Sequence, residues 1–451
     1  MELVKRAATR AMRPVLAAAL AAGLAAATAA PGWPAPASPI GHVAATKTPP
    51  EVLSGGDTTV FDTGQNAFGR SLGNLEARHW GEMQRGKRLF VHRFQPSGNP
   101  GARGGQAGPS GLGPLFNADS CSACHFKDGR GRRPDDPAPS PPLIYRFTPE
   151  SPAFGAQLQD RAVAGAAPEG AVEVTAQTVD GRYGDGSPFT LHEPRYRWRG
   201  EGPGPGVGWS ARQPTTLVGL GLLEAVPDRD ILAWSDETDR DGDGISGRPR
   251  WLAGDAAGRR LGRFGWRAEQ ASLRDQTAAA LREDMGIRTR GASPELSADE
   301  VRLLVLYLQL LAPPARRDVE LPAVRRGERL FARLGCSACH RPEMRTGAPD
   351  AIEGPAELAG QVIRPYTDLL LHDLGPRLAD AGGAEWRTAP LWGLGLLETV
   401  GGELRLLHDG RARSFEEAIL WHGGEAENAR RDFTGLTAPE RADLVRFLES
   451  L

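Results

Sequence analysis

Two short motifs contain all four cysteines of the 451-residue chain. Both have the order Cys-x-x-Cys-His. Two thiols one helical turn apart can add to the two vinyl groups of one porphyrin edge, and the histidine that follows can then face the iron as its proximal ligand. A zinc site would need four converging ligands, and a thioredoxin-like pair would not need the trailing histidine. The sequence therefore predicts two covalently attached c-type haems, held by Cys121, Cys124 and His125 and by Cys336, Cys339 and His340.

The first 30 residues have the pattern of a secretory signal. Four basic residues between Lys5 and Arg13 precede the apolar run from Val15 to Ala27, and small residues follow up to Ala30. The alternative interpretation is a membrane anchor, but the apolar run is too short to span a bilayer, which takes about 20 residues. We therefore predict a cleaved signal over residues 1–30, an exported periplasmic protein, and no membrane span after cleavage.

Composition limits the fold and the partners. The formal net charge of −2 gives no basic footprint for nucleic acid or for a membrane surface. The 57 glycines and 37 prolines indicate long irregular connections between helices.

Each haem motif follows a phrase of the form Arg-Gly-Lys/Glu-Arg-Leu-Phe, at residues 85–90 and 326–331, that resembles the opening of the first helix of a cytochrome c domain. We expect a mainly α fold made of two tandem cytochrome c-like domains with long irregular loops.

A second repeated phrase supports a duplicated unit. Gly-Leu-Gly-Leu-Leu-Glu occurs at residues 219–224 and again at 393–398. Residues 31–75 contain few apolar groups and are expected to form a flexible lead-in. The predicted domains are then residues 76–315, with insertions, for the first haem and residues 316–451 for the second.

The region after the second motif contains further histidines. Ser414, followed by two acids and an apolar run, predicts a helix N-cap, and His422 lies at the end of that helix before a glycine pair. His422 is a candidate second axial ligand of the His340 haem, or a C-terminal histidine that complements the helix dipole. His372 is a rival ligand, and His408 is expected to fix a turn through hydrogen bonds.

Residues 408–424 resemble the C-terminal signature of the bacterial di-haem cytochrome c peroxidases and of the related methylamine-utilisation di-haem enzyme. In those families the residue at the position of His422 is the distal ligand of the C-terminal haem. The resemblance therefore implies that His422 ligates the iron of the His340 haem. Two histidine ligands would make that iron low-spin and lower its potential relative to a His/Met pair.

Residues 266–286 resemble a segment of the same peroxidases. The resemblance implies that Trp266 lies between the haems and that Gln276 lines the peroxide pocket. The family then has Glu-Met-Gly, in which the glutamate is the catalytic acid–base. This chain has Asp284-Met285-Gly286, which lies two residues closer to Gln276 than in the family and has a shorter acid. The resemblance assigns the acid–base role to Asp284.

Over residues 76–451 the chain resembles the bacterial di-haem oxidoreductase and peroxidase family, through phrases at residues 113–117, 154–160, 364–368 and 419–424. The resemblance implies reduction of hydrogen peroxide with electrons from a small redox donor protein of the cytochrome c or cupredoxin type. The His125 haem would have the open iron, and the His340 haem would receive electrons. Two alternatives are a pure electron-transfer cytochrome, with Met285 closing the first iron, and an enzyme that oxidises a protein or organic substrate.

An acidic turn adds a possible cation site. Asp239, Asp241 and Asp243, with Gly244 at the sixth place, have the spacing that opens a calcium loop. The twelfth place is Arg250, where such a loop has glutamate. Calcium binding and a simple exposed acidic turn both fit this pattern.

Overall fold

The computed structural model of the protein describes residues 48–96, 109–131, 143–254, 258–291 and 293–451. The predicted signal, residues 1–30, lies outside these ranges. None of the described helices is long and apolar enough to cross a membrane. Residues from 48 to 451 belong to one compact unit. Its main core contains residues from both predicted domains, for example Phe90 and Leu304 together with Phe331 and Leu444.

The expectation of a mainly α fold is wrong, because helices account for 33% and strands for 20% of the chain. The Gly- and Pro-rich connections, expected to be irregular, form small sheets of two or three strands instead. The described helices are α1 (Ala77–Val91), α2 (Cys121–Cys124), α3 (Leu220–Glu224), α4 (Asp228–Leu232), α5 (Leu273–Met285), α6 (Ala298–Gln309), α7 (Pro322–Arg333), α8 (Leu397–Gly401), α9 (Phe415–Trp421), α10 (Glu427–Thr434) and α11 (Ala438–Ser450).

The sheets are small and mostly antiparallel. The described strands are β1 (Gln95–Pro96), β2 (Ser110–Leu112), β3 (Leu115–Phe116), β4 (Ile144–Ser151), β5 (Gly155–Gln157), β6 (Arg161–Ala162), β7 (Ala171–Arg182), β8 (Pro188–Arg199), β9 (Gly208–Arg212), β10 (Trp251–Leu252), β11 (Arg260–Leu261), β12 (Met344–Arg345), β13 (Val362–Ile363), β14 (Leu371–Asp373) and β15 (Glu385–Arg387). Strands β5, β4 and β9 form a three-stranded sheet, and the other strands pair as β1–β2, β3–β6, β7–β8, β10–β11, β12–β13 and β14–β15.

The hairpin of β7 and β8 is the longest strand pair, and its register runs from Ala171 opposite Arg199 to Arg182 opposite Pro188. The Asp185 carboxylate accepts hydrogen bonds from the Ser187 amide and hydroxyl and closes the turn. The inner face of this hairpin packs with β4 in a second, smaller core of apolar and aromatic side chains. Alternating apolar and polar residues on both sides of an Asp-Gly turn predict a β-hairpin. Our sequence prediction overlooked this one.

Two helix pairs support the haem motifs in a similar way. Helix α1 packs on α6, and α7 packs on α11. A Cβ atom at Gly86 would lie 2.2 Å from the Leu303 carbonyl oxygen, and one at Gly327 would lie 2.0 Å from the Asp443 carbonyl oxygen. Glycine is therefore required where each pair crosses. The repeated Arg-Gly phrases mark these crossings.

The expected flexible lead-in over residues 31–75 is wrong for its described part. Phe68 is fully buried and Leu72 is 3% exposed. The Leu72 amide donates to the Leu310 carbonyl oxygen, and the Ala312 amide donates to the Arg70 carbonyl oxygen. A few apolar side chains, tied by backbone hydrogen bonds to the segment after α6, are enough to order this stretch. Residues 31–47 lie outside the described ranges.

Candidate active site

Both Cys-x-x-Cys-His motifs form part of a cavity wall. The His125 cavity, of about 240 Å³, is lined by Cys121, Cys124 and His125. The His340 cavity, of about 470 Å³, is lined by Cys336, Cys339 and His340. All four cysteines are free of disulfides. The structure therefore brings each predicted pair of thiols to one cavity together with its histidine.

Both motif histidines are locked in one tautomer. The Nδ1 atom of His125 lies 2.8 Å from the Thr215 carbonyl oxygen, and Nδ1 of His340 lies 3.0 Å from the Tyr366 carbonyl oxygen. A carbonyl oxygen can only accept, so Nδ1 donates and Nε2 keeps its lone pair. Burial lowers the pKa of His125 and, with His422 nearby, lowers the pKa of His340 to about 4. Both rings are therefore held neutral, as metal ligands require.

His422 lines the same cavity as His340. Ser414 caps α9 by accepting a hydrogen bond from the Glu417 amide, and α9 ends at Trp421, so the predicted helix and its cap are confirmed. His422 Nδ1 donates to the Ala418 carbonyl oxygen at 2.7 Å, which again leaves Nε2 free. The structure thus places two neutral histidines with free Nε2 atoms on one cavity.

His372, the rival ligand, has no free nitrogen. Its Nε2 lies 2.8 Å from the Asp368 carboxylate and its Nδ1 lies 2.6 Å from the Glu425 carboxylate. Burial would lower the His372 pKa, but these hydrogen bonds and a contact with Cys339 raise it to about 12. A charged imidazole clamped by two carboxylates cannot ligate iron, which excludes His372.

His408 differs from its predicted role. Its ring stacks on Trp386 with centroids 3.7 Å apart. Burial lowers the His408 pKa to about 3. The turn is instead held through the main chain, because the Gln213 amide donates to the His408 carbonyl oxygen.

Gln276, Asp284 and Met285 all line the His125 cavity. Helix α5 carries these residues. It starts at the Ser272 cap and ends at Gly286, whose φ of 69° favours glycine. Burial raises the pKa of Asp284 to about 6, although a hydrogen bond from Gln157 opposes the rise. A carboxyl group poised near neutral pH can both donate and accept a proton.

A polar support around Asp284 was missed by the sequence interpretation. The Gln157 Nε2 atom lies 2.8 Å from the Asp284 carboxylate and 2.9 Å from the Asn117 side-chain oxygen. Arg146 forms an ion pair with the neighbouring Glu283 at 2.5 Å. Arg146 lies on β4, Gln157 on β5 and Asn117 directly after β3, all far from α5 in sequence. The phrase at residues 154–160 was noted as a family feature, but nothing in it pointed to Asp284.

Trp266 lies between the two cavities and lines both. Its Nε1 atom donates to the Gln213 carbonyl oxygen at 2.7 Å, which fixes the ring. The Arg130 guanidinium lies 5.3 Å from the centre of the indole. Trp266 is therefore a side chain of fixed orientation on the walls of both cavities.

The three aspartates of the acidic turn converge. Carboxylate oxygens of Asp239, Asp241 and Asp243 lie within 4.8 Å of one another. Asp239 adopts a φ of 49°, and its carboxylate accepts a hydrogen bond from the Gly244 amide. Asp243 also lines the His340 cavity. The spacing seen in the sequence therefore produces a real cluster beside that cavity.

Buried cations at the cavities suit a haem, which carries two propionates. Arg130 lines the His340 cavity and donates to the carbonyl oxygens of Arg405 and Leu407. Its Nε atom is buried and has no hydrogen-bond partner among the described residues. A buried cation without a carboxylate partner is unfavourable, and a haem propionate would supply the missing charge. The thiols, the histidines and this cation therefore fit a haem.

Two cavities, each with a thiol pair and a tautomer-locked histidine, define a di-haem protein. A family model described as "Di-haem oxidoreductase, putative peroxidase" matches residues 50–141, 205–302 and 288–451. These ranges cover more than half of the chain, so the protein belongs to this family and is a di-haem oxidoreductase. The phrase at residues 154–160 falls outside the matched ranges. No curated protein and no solved structure matches the chain.

Proposed function

We propose that the protein is an exported di-haem c-type cytochrome of the periplasm that reduces hydrogen peroxide with electrons from a small redox donor protein. The haems would be attached through Cys121 and Cys124 and through Cys336 and Cys339. His125 and His340 would be the proximal ligands, and His422 the second ligand of the His340 haem.

The contrast between the two cavities supports this proposal. His340 and His422 share one cavity. In the other, His125 is the only histidine among the described lining residues, and the buried Asp284 is present. A peroxidase needs one iron with an open position and an acid–base group beside it. One histidine and a buried acid among the described lining residues of the His125 cavity support this assignment.

The roles of the side chains follow from their positions. Reduction of hydrogen peroxide to two waters consumes two electrons and two protons, and bound haem iron would supply the electron chemistry. Asp284 would take a proton from one peroxide oxygen and return it to the other. Gln157 positions the Asp284 carboxyl group through its 2.8 Å hydrogen bond. The amide of Gln276 would hold the peroxide by hydrogen bonding.

Electrons would enter at the His340 haem and pass Trp266 to reach the His125 haem. Trp266 lines both cavities and its ring is fixed by the Gln213 carbonyl oxygen. A donor of the cytochrome c or cupredoxin type would contact the protein over a small area, as is usual for transient electron-transfer partners.

We also propose calcium at Asp239, Asp241 and Asp243. Three hard carboxylate donors within 4.8 Å favour this ion. Calorimetric titration of chelator-treated holoprotein with calcium should give one binding event, and D241N should abolish it. Unchanged heat in D241N would contradict the assignment.

Export is tested separately from catalysis. Cleavage of the signal over residues 1–30 predicts a mature N-terminus near Pro31 in the periplasmic fraction. N-terminal sequencing of the purified protein checks this prediction. An intact Met1 in a cytoplasmic fraction would contradict it.

The central experiment is low-temperature EPR of the diferric protein, repeated after one-electron reduction. A high-spin ferric signal in either state is expected, since the His125 iron should have an open position, and peroxide turnover should accompany it. Low-spin iron alone in both states would contradict the proposal. Met285, on the wall of the His125 cavity, would then be the candidate sixth ligand, and the protein would be an electron carrier.

A further inference from the structure

Most buried arginines near the two cavities have a carboxylate partner. Arg212 and Arg267 share Asp380, at 2.7 Å and 2.6 Å. Arg411 pairs with Asp409 at 2.8 Å. Such pairing is expected, because a buried charge is strongly unfavourable without a counter-charge.

Arg387 is an exception. It is 8% exposed. Its Nε atom donates to the Gly265 carbonyl oxygen at 2.8 Å, and Nη1 donates to the Thr388 carbonyl oxygen at 3.2 Å. Within the described part of the chain, Arg387 has no ion pair with a carboxylate. Its guanidinium is therefore a buried charge whose hydrogen bonds, within the described part of the chain, go to main-chain carbonyl oxygens.

The two acids whose charges act on Arg387 already have other hydrogen-bond partners. Glu269 and Asp368 attract the Arg387 charge from a distance. However, Glu269 accepts a hydrogen bond from the Arg267 amide, and Asp368 accepts one from His372. Neither carboxylate is thus a partner for Arg387, and the missing anion must come from elsewhere.

The position of Arg387 indicates the source of that anion. Together with Trp266, it is one of two described residues that line both the His125 and the His340 cavity. Its amide also donates to the Trp266 carbonyl oxygen, which ties the two together. Arg212, by contrast, pairs with Asp380 and lines the His125 cavity alone. Among the described residues, Arg387 is therefore a cation without a carboxylate partner that lies on the walls of both cavities.

We infer that Arg387 is a shared cationic partner for propionate groups of both haems and raises the reduction potentials of both irons. This inference rests on the proposed haem positions and not on peroxidase activity. A positive charge near an iron disfavours its ferric form, which has one more positive charge than the ferrous form. Loss of the Arg387 charge should therefore lower both potentials together.

Arg130 offers a matched comparison. It is also buried without a carboxylate partner among the described residues, but it lines the His340 cavity and not the His125 cavity. Replacement of Arg130 should therefore lower the potential of one haem, whereas replacement of Arg387 should lower both. The two variants differ in the number of haems affected and not in the charge removed.

The experiment is a redox titration of the intact di-haem protein, followed by optical and EPR spectroscopy in the absence of peroxide. In R387Q, the ferric/ferrous equilibrium of each haem should shift at least tenfold toward ferric, about 59 mV for a one-electron couple. In R130Q, the His340 haem should shift similarly, and the His125 haem by less than threefold. The haem content per chain is measured for both variants, to check that each contains two haems.

R387K provides the second measurement if R387Q does not incorporate two haems. Lysine keeps the charge but lacks the fork that can hold two anions, so both potentials should fall in R387K, by less than in R387Q. A shift of only one haem, or of neither, in the loaded variant would overturn the inference. Because potentials are read without peroxide, this result is independent of whether the His125 haem turns peroxide over.

Discussion

The His125 cavity contains Asp284, a buried acid whose pKa burial raises to about 6, whereas the His340 cavity contains His422, a second neutral histidine. The elements that present the two motifs are alike, because each motif follows a helix that crosses its partner at a glycine. The difference comes from segments far from the motifs, namely α5 with β5 in one case and α9 in the other. Two similar Cys-x-x-Cys-His motifs can therefore serve different chemistry when other parts of the chain complete their cavities.

The largest effect should come from removing the acid of the His125 cavity. D284N keeps the shape but cannot exchange a proton, so peroxide turnover should fall by about 10²–10⁴-fold. Steady-state peroxide reduction with an artificial donor measures this change. D432N, an exposed aspartate of α10, is the matched control and should be unaffected. Equal activity of D284N and wild type would remove the main functional difference between the cavities.

The same acid should make stability depend on pH. The folded protein holds the Asp284 proton up to about pH 6, whereas the ordinary pKa is 3.8. The contribution of Asp284 to the free energy of unfolding is therefore fully present below about pH 4. It falls by roughly 3 kcal/mol as the pH rises to about 6. Urea unfolding of wild type and D284N from pH 4 to 7 should show this loss in the wild type relative to the variant. Parallel pH profiles would show that Asp284 is not buried as an acid.

Substitutions at the two helix crossings test the helix packing that both halves of the chain share. Alanine at Gly86 or Gly327 would place Cβ within 2.2 Å or 2.0 Å of a carbonyl oxygen on the facing helix. Each substitution should lower the free energy of unfolding by about 1–3 kcal/mol. Denaturant unfolding measures both, and G81A, an open position on α1, is the control. A large effect in one half alone would show that the two supports are not equivalent.

The smallest effect should come from exchanging His422, the proposed second ligand of the His340 haem. H422M should raise the potential of that haem, because thioether ligation favours the ferrous state, by about 59 mV or more. The His125 haem should keep its high-spin signal. Redox titration with EPR measures both quantities. An unchanged potential would mean that His422 does not ligate the iron.

Prediction from sequence succeeded where the chemistry is local. The Ser414 cap, the end of α9 and the convergence of the three aspartates depend on residues close in the chain. It failed for the strand content and for the packed stretch at residues 48–75, because pairing partners and burial of these segments are distant in sequence. The Gln157 contact with Asp284 was missed for the same reason.

The sequence by itself determined where the two thiol pairs and their histidines lie in the chain, because each Cys-x-x-Cys-His motif occupies five consecutive residues. That pattern alone is enough to predict two haems. Tertiary structure decided what completes each cavity. It engaged both nitrogens of His372 with carboxylates and left the Nε2 atom of His422 without a hydrogen bond among the described residues, although spacing alone allowed either histidine as ligand. It also placed Arg387 and Trp266 on both cavity walls. Such choices depend on which distant segments exclude water from the same space, and only the folded chain brings those segments together.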